Sequence, residues 1–290
     1  VPKGLSLHIG LNSVDPAHYE GWSGPLTACE ADAEDMQAVA AGVGYAPTLL
    51  KTAAATRRTV IDDIKAAAKQ MNKGDIFFLS YSGHGGQLPD RNSDEPDDLM
   101  DETWCLFDGE LIDDELYELW RLFPAGSRVL VLSDSCHSGT AIRMALSQPG
   151  SGPARAALRA YGLDGDGEVR YRVMPPDVAL RTYRAHAAFY DDLQPRKARR
   201  AKGKKKPKAP VQASVRLISG CQDNQLSADG TFNGLFTGML LRVWNKGGFK
   251  GDYAGFHKSI VKRMPPAQTP NHFSVGVASS AYDGQKPFTI

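Results

Sequence analysis

The 290-residue sequence predicts an α/β fold: a mostly parallel sheet covered by helices on both faces. Three observations carry that expectation. Short, continuous apolar runs alternate with amphipathic stretches of helical spacing. Two of those runs stop abruptly in polar, glycine-rich turns. Hydrophobic residues make up 42% of the chain, enough for a sizeable core, yet no apolar run approaches the roughly 18–20 residues needed to cross a bilayer.

Taken in order, Leu5-Ser6-Leu7-His8-Ile9-Gly10 reads as a buried strand, followed by a helix from Glu30 to Ala41. A second helix is expected over Thr56 to Met71, where Val60, Ile61, Ile64, Ala67 and Ala68 recur on one face. Lys73-Gly74 ends it before the apolar strand Asp75 to Tyr81. An acidic loop over 90–102 leads to a short amphipathic helix at about 113–122, then to the apolar run Arg128 to Ser133. From 147 to 212 periodicity fades and Gly, Pro, Ala and basic residues dominate. That stretch is read as a basic, flexible insert with short helices near 153–160 and 177–190. The pattern resumes with Val215 to Gly220, helices over Leu235–Trp244 and Tyr253–Met264, and a strand near His272–Val277. A single domain over 1–290 is expected, with regions 1–146, 147–212 and 213–290.

The net charge of +1 conceals an asymmetry. Residues 196–208 carry nine of the 34 basic residues and no acid, and without them the balance falls to −8. Four cysteines are widely spaced, with no CxxC pair or dense framework. This suits a reducing, cytoplasmic compartment and argues against a zinc site. The chain begins Val1-Pro2-Lys3-Gly4, without an initiator Met or a signal-like apolar core, and is read as a processed or cut end.

The two polar turns hold the chemistry. One is Ser82-Gly83-His84-Gly85-Gly86 and the other is Asp134-Ser135-Cys136-His137-Ser138-Gly139. Ligands gather outside the carboxyl ends of parallel strands, and both turns lie there. A Cys thiolate is a strong nucleophile once a base takes its proton, and a His on a neighbouring strand end can do so and later protonate a leaving amine. Cys136 is therefore the candidate nucleophile and His84 its acid–base partner, in preference to His137, which adjoins the nucleophile. The glycines let backbone amides near Gly85 and Cys136 approach an oxyanion. A buried structural Cys and His is the plainer alternative, and the joint pattern argues against it.

At these residues the sequence resembles the metacaspases and their bacterial relatives, the orthocaspases, within the caspase-like clan. Tyr81-Ser82-Gly83-His84-Gly85 and Asp134 to Gly139 match that family's His and Cys motifs, and Ser219 to Asp229 resembles the start of its smaller subunit-like region. The His lies fifty-two positions before the Cys, close to the caspase spacing. The resemblance implies a caspase-like three-layer α/β/α sandwich and a cysteine endopeptidase that cuts protein or peptide substrates after Arg or Lys. Its pocket for the basic side chain falls on Asp32, Ser82 and Asp134, and a carboxylate suits a guanidinium.

The resemblance also implies a calcium site at Asp101, Asp113 and Asp114. The family's fourth carboxylate is here Arg143, which would remove a ligand and add a repelling charge, so calcium activation stays open. A helix-capping role for Asp113-Asp114 is the alternative. A protease for basic residues that carries a basic insert suggests self-processing, in 196–208 or at an Arg between 143 and 200. The competing reading of 196–208 is an electrostatic arm for nucleic acid or an acidic partner, disfavoured because no aromatics interleave the charges. The chain is expected to act as a monomer away from membranes. The rival functions are a silent caspase-like interaction module and a separase- or gingipain-like peptidase.

Overall fold

The computed structural model describes residues 1–90, 100–136, 170–194, 210–221, 225 and 227–290. Its centre is a six-stranded sheet. The strands are β1 (Gly4–Gly10), β2 (Ala46–Lys51), β3 (Ile76–Ser82), β7 (Arg128–Asp134), β9 (Ser214–Ser219) and β11 (Asn271–Gly276), in the spatial order β11-β9-β7-β3-β1-β2. All pairings are parallel except β11 with β9.

Strand alternation sorts the apolar side chains into two cores. From β3 and β7, Phe77, Leu79, Val129 and Val131 face one way, onto Val60 and Ile64 of α2 (Arg57–Gln70) and Leu119 and Trp120 of α3 (Asp113–Trp120). The alternate residues Ile76, Phe78, Leu130 and Leu132 face the other way. There they meet α1 (Cys29–Gly42), α6 (Leu235–Trp244) and α7 (Tyr253–Val261). This is the three-layer α/β/α sandwich expected. α2 starts where it does because the Thr56 side chain accepts the Thr59 N–H at 3.1 Å, an N-cap.

Three further elements surround the carboxyl ends of β3 and β7. A small antiparallel sheet joins β4 (Gly85–Pro89), β5 (Met100–Leu106) and β6 (Gly109–Ile112). A two-residue strand β8 (Arg170–Tyr171) pairs antiparallel with β10 (Ala228–Asp229). After it come α4 (Pro176–Ala185) and α5 (Ala187–Leu193), and a short α8 (Ser280–Asp283) lies near the C-terminus. Residues 170–194 therefore pack on the body, although they fall within the stretch read as a flexible insert. Met174 and Val178 are buried with Val14, Tyr19 and Cys105, and Tyr190 is fully buried with Leu88 and Ile112. The expected helix near 153–160 and the basic run 196–208 lie outside the described residues. Among the described residues no helix is long and apolar enough to cross a membrane.

Candidate active site

β3 and β7 are neighbours in register, with Ser82 opposite Asp134, so the turns that follow them emerge side by side. His84 and Cys136 lie in those turns, and both are buried. The His84 Nε2 is 2.9 Å from the Gly24 carbonyl oxygen, which can only accept, so Nε2 carries the proton. Nδ1, left with the lone pair, is buried and has no hydrogen-bond partner among the described residues. Burial lowers the ring's pKa from 6.5 to about 4, against the opposing pull of the Gly24 carbonyl. Gly24 has φ +50°, and a Cβ there would stand 2.8 Å from His84 Nε2, so glycine is needed on both counts. Trp22 covers the ring, with centroids 4.7 Å apart.

Arg172, directly after β8, crosses this site on a short strap, residues 170–174, whose Val173 pairs in parallel with Gly85. Its carbonyl oxygen accepts two hydrogen bonds at 3.0 Å, one from the Gly85 N–H and one from the Cys136 N–H. Its own N–H donates to the Ser227 carbonyl at 3.0 Å, and Met174 N–H donates to the Gly85 carbonyl at 2.8 Å. The Cys136 Sγ is turned toward the Ser227 backbone, where it is a donor to the carbonyl at 3.7 Å and accepts the Ser227 N–H.

The Arg172 side chain, wholly buried, fills the acidic pocket expected from sequence. Nη2 lies 2.6 Å from Asp32 Oδ2, and Nη1 lies 2.9 Å from Asp134 Oδ2 and 2.8 Å from Ser82 Oγ. Asp229 completes the ring, its Oδ1 2.9 Å from Nη2 and 3.3 Å from Nε. Burial alone would favour the neutral arginine, but Asp134, Asp32 and Asp229 override it and push its pKa further up. Burial raises Asp32 to about 6 despite Arg172, and Asp134 adds to the rise.

The carboxylates are supported from α6. Gly234 N–H donates to Asp32 Oδ1 at 3.0 Å, and Thr237 donates to Asp134 Oδ2 through its hydroxyl at 2.7 Å. Ser227 Oγ, itself bonded by Gln268, donates to Asp134 Oδ1 at 2.6 Å. A Cβ at Gly234 would stand 2.6 Å from the Arg172 guanidinium.

Of the residues singled out in the sequence, Asp32, Ser82 and Asp134 thus hold the Arg172 side chain, and the Gly85 and Cys136 N–H groups its carbonyl oxygen. Sequence reasoning placed Arg172 only within the 143–200 range named for self-processing, and missed Asp229, Gly24 and Gly234. Asp229 did carry a signal, since it ends the third family-like motif. Cys221, in that motif too, packs against Cys136, and that contact and burial together raise its pKa.

The calcium positions do not converge in the same way. Among the described residues no group of three or more His, Cys, Asp or Glu side chains could hold a metal. Asp113 and Asp114 line one apolar cavity with Glu102, its volume about 300 Å³, and Asp101 is not among its lining residues. Successive β5 side chains alternate in direction, which separates Asp101 from Glu102. Among the described residues Asp101 therefore stands apart from the Asp113–Asp114 pair, and no step below passes through a metal. His137 and Arg143 lie outside the described residues.

Comparison with known proteins places this arrangement in a family. The caspase-domain profile matches residues 14–282. The chain belongs to the caspase-like cysteine peptidase family. Metacaspase-1 of Coccidioides immitis is 30% identical over 257 residues, covering 82% of this chain and 53% of the relative. Metacaspase-1 of Schizosaccharomyces pombe is 30% identical over 199 residues, covering 64% of this chain and 44% of the relative. The chain thus spans about half the length of these curated relatives. Protein GSU0716 from Geobacter sulfurreducens, a crystal structure, is 59% identical with a TM-score of 0.83 over 99% of both chains. Caspase-1 from Spodoptera frugiperda shares the fold at 11% identity, with a TM-score of 0.53 over 95% of this chain and 86% of that one.

Proposed function

We propose that this caspase-family chain is a cysteine endopeptidase that cuts after Arg or Lys, and that it processes itself between Arg172 and Val173. The observation that carries this reading is the double engagement of Arg172. Its guanidinium is held by Asp32, Ser82 and Asp134 while its carbonyl oxygen takes the N–H groups of Gly85 and Cys136. A substrate's P1 residue needs both contacts at once, and a merely structural arginine needs only the first.

In the proposed reaction the Cys136 thiol proton passes to His84 Nδ1, and Sγ bonds to the P1 carbonyl carbon. The negative oxygen that results stays between the two backbone N–H groups, donors already in place before charge develops. Collapse breaks the C–N bond, and His84 gives its proton to the departing amine. Water, deprotonated by the same imidazole, then releases the P1 carboxylate and restores the thiol. Until the Arg172–Val173 bond is cut and the strap leaves, the pocket is filled and other substrates are excluded.

Intact-mass spectrometry of wild type and Cys136→Ala, incubated with and without Ca²⁺, tests the reading. Wild type is expected to yield pieces that end at Arg172 and begin at Val173, and the variant to stay whole. A wild-type chain that stays whole in both buffers would sink self-processing at Arg172, and so would a cut confined to 196–208. Reporters ending in Arg, Lys and Asp then test specificity, and preference for Asp would overturn the pocket.

A further inference from the structure

Asp229 was not among the residues expected to line the basic pocket, yet it is the carboxylate that faces the inner nitrogen of Arg172. Asp32 and Asp134 contact only the terminal nitrogens, Nη2 and Nη1. Asp229 Oδ1 reaches both Nη2 at 2.9 Å and Nε at 3.3 Å. Its orientation does not depend on the arginine. Oδ2 accepts the Thr27 N–H at 2.7 Å and Oδ1 the Ala28 N–H at 3.3 Å, both from the segment leading into α1. The carboxylate is buried, with Oδ1 facing the side chain in the pocket.

We infer that Asp229 is a specificity-determining residue that makes the enzyme select Arg over Lys at P1. This rests on the reading of Arg172 as a bound P1 residue. A lysine in the same pocket places its Cε methylene where Arg has Nε. The Oδ1 that binds two N–H groups of arginine would then face an apolar carbon, and its lost hydration would not be replaced. Lysine's ammonium nitrogen falls where arginine has Cζ, so it reaches Asp32 and Asp134 less closely and offers Asp229 at most one N–H. The pocket therefore gains the paired contact with Asp229 only when the substrate carries a planar guanidinium.

The test uses processed enzyme and matched reporters ending in Arg, Lys and Arg methylated on Nε. Wild type is expected to favour Arg over Lys in kcat/KM by about tenfold or more, and Nε-methylation to cost a similar factor. Asp229→Asn keeps an oxygen for the Thr27 N–H and turns an amide NH₂ toward the pocket. It should lower kcat/KM for Arg by about tenfold or more while changing Lys by less than about threefold, so that the preference collapses. An Arg preference unchanged in Asp229→Asn, or insensitive to Nε-methylation in wild type, overturns the assignment and leaves the basic-pocket reading intact. The methylated reporter needs no variant, so a variant that fails to fold leaves the inference falsifiable. Wild type inert toward both Arg and Lys would overturn the basic-pocket reading and this inference with it.

Discussion

His84 is oriented by a carbonyl, that of Gly24, rather than by a carboxylate, and this affects how it titrates. A carboxylate partner would stabilise the imidazolium, whereas burial beside a neutral carbonyl lowers the pKa to about 4. The sign of the effect on rate follows. The proposed base must be neutral to accept the thiol proton, and below its pKa it is not. With the strap in place the ring stays neutral as pH falls through the ordinary histidine value of 6.5 and gains its proton only near 4. First-turnover scission of the intact chain is therefore expected to persist at pH 5 and to lose half its rate closer to pH 4 than to 6.5. Once the strap has left, water reaches the ring, and the acid limb of reporter hydrolysis should move up toward 6.5. Rates of intact-chain loss and of reporter turnover from pH 4 to 8 check both limbs. Coincident limbs near 6.5 would contradict the role assigned to burial.

At the scale of elements, α5 anchors the strap region to the body. The Tyr190 hydroxyl accepts the Glu110 N–H at 3.1 Å and hydrogen-bonds His18 Nε2 at 2.7 Å, and His18 stacks on His186. Tyr190→Phe would leave the buried Glu110 N–H without this acceptor. A loss of about 1–3 kcal/mol is expected, read by urea unfolding in the Cys136→Ala background, where no scission intervenes. Elements with a full apolar face were legible in the sequence. α6 is observed over the expected residues, and α1, α2 and α7 begin or end within a few residues of expectation. β2 and β4 escaped notice for physical reasons. β2 is an edge strand containing Pro47 and largely open to solvent, and β4 is five residues with two glycines and a proline. Neither presents the continuous apolar run that marks a central strand.

The whole molecule determines what a cut at Arg172 would do. β9 belongs to the C-terminal piece, yet it lies between β7 of the N-terminal piece and β11 and is bonded along its length to both. α6 and α7 bury their apolar faces against β3 and β7 in one shared core. Separating the pieces would expose that core, so they should stay together after scission. A processed sample is expected to give two bands in denaturing gels and one peak, at the elution volume of uncut Cys136→Ala, in size exclusion. Two separate peaks would refute this.

By itself the sequence determined the layered α/β architecture, because burial on both faces forces apolar runs that can be read locally. It also marked His84 and Cys136, since turns at strand ends keep their residues together in the chain, and through family likeness it marked Asp32, Ser82 and Asp134. Only the tertiary structure decided what occupies the pocket. Arg172 meets Asp32 across 140 positions and Asp229 across 57, and Gly24 meets His84 across 60. Contacts so distant follow no period and leave no local mark. They arise because the sheet and its crossovers bring strand ends, strap and the N-terminus of α6 to one edge, where a buried guanidinium requires carboxylates.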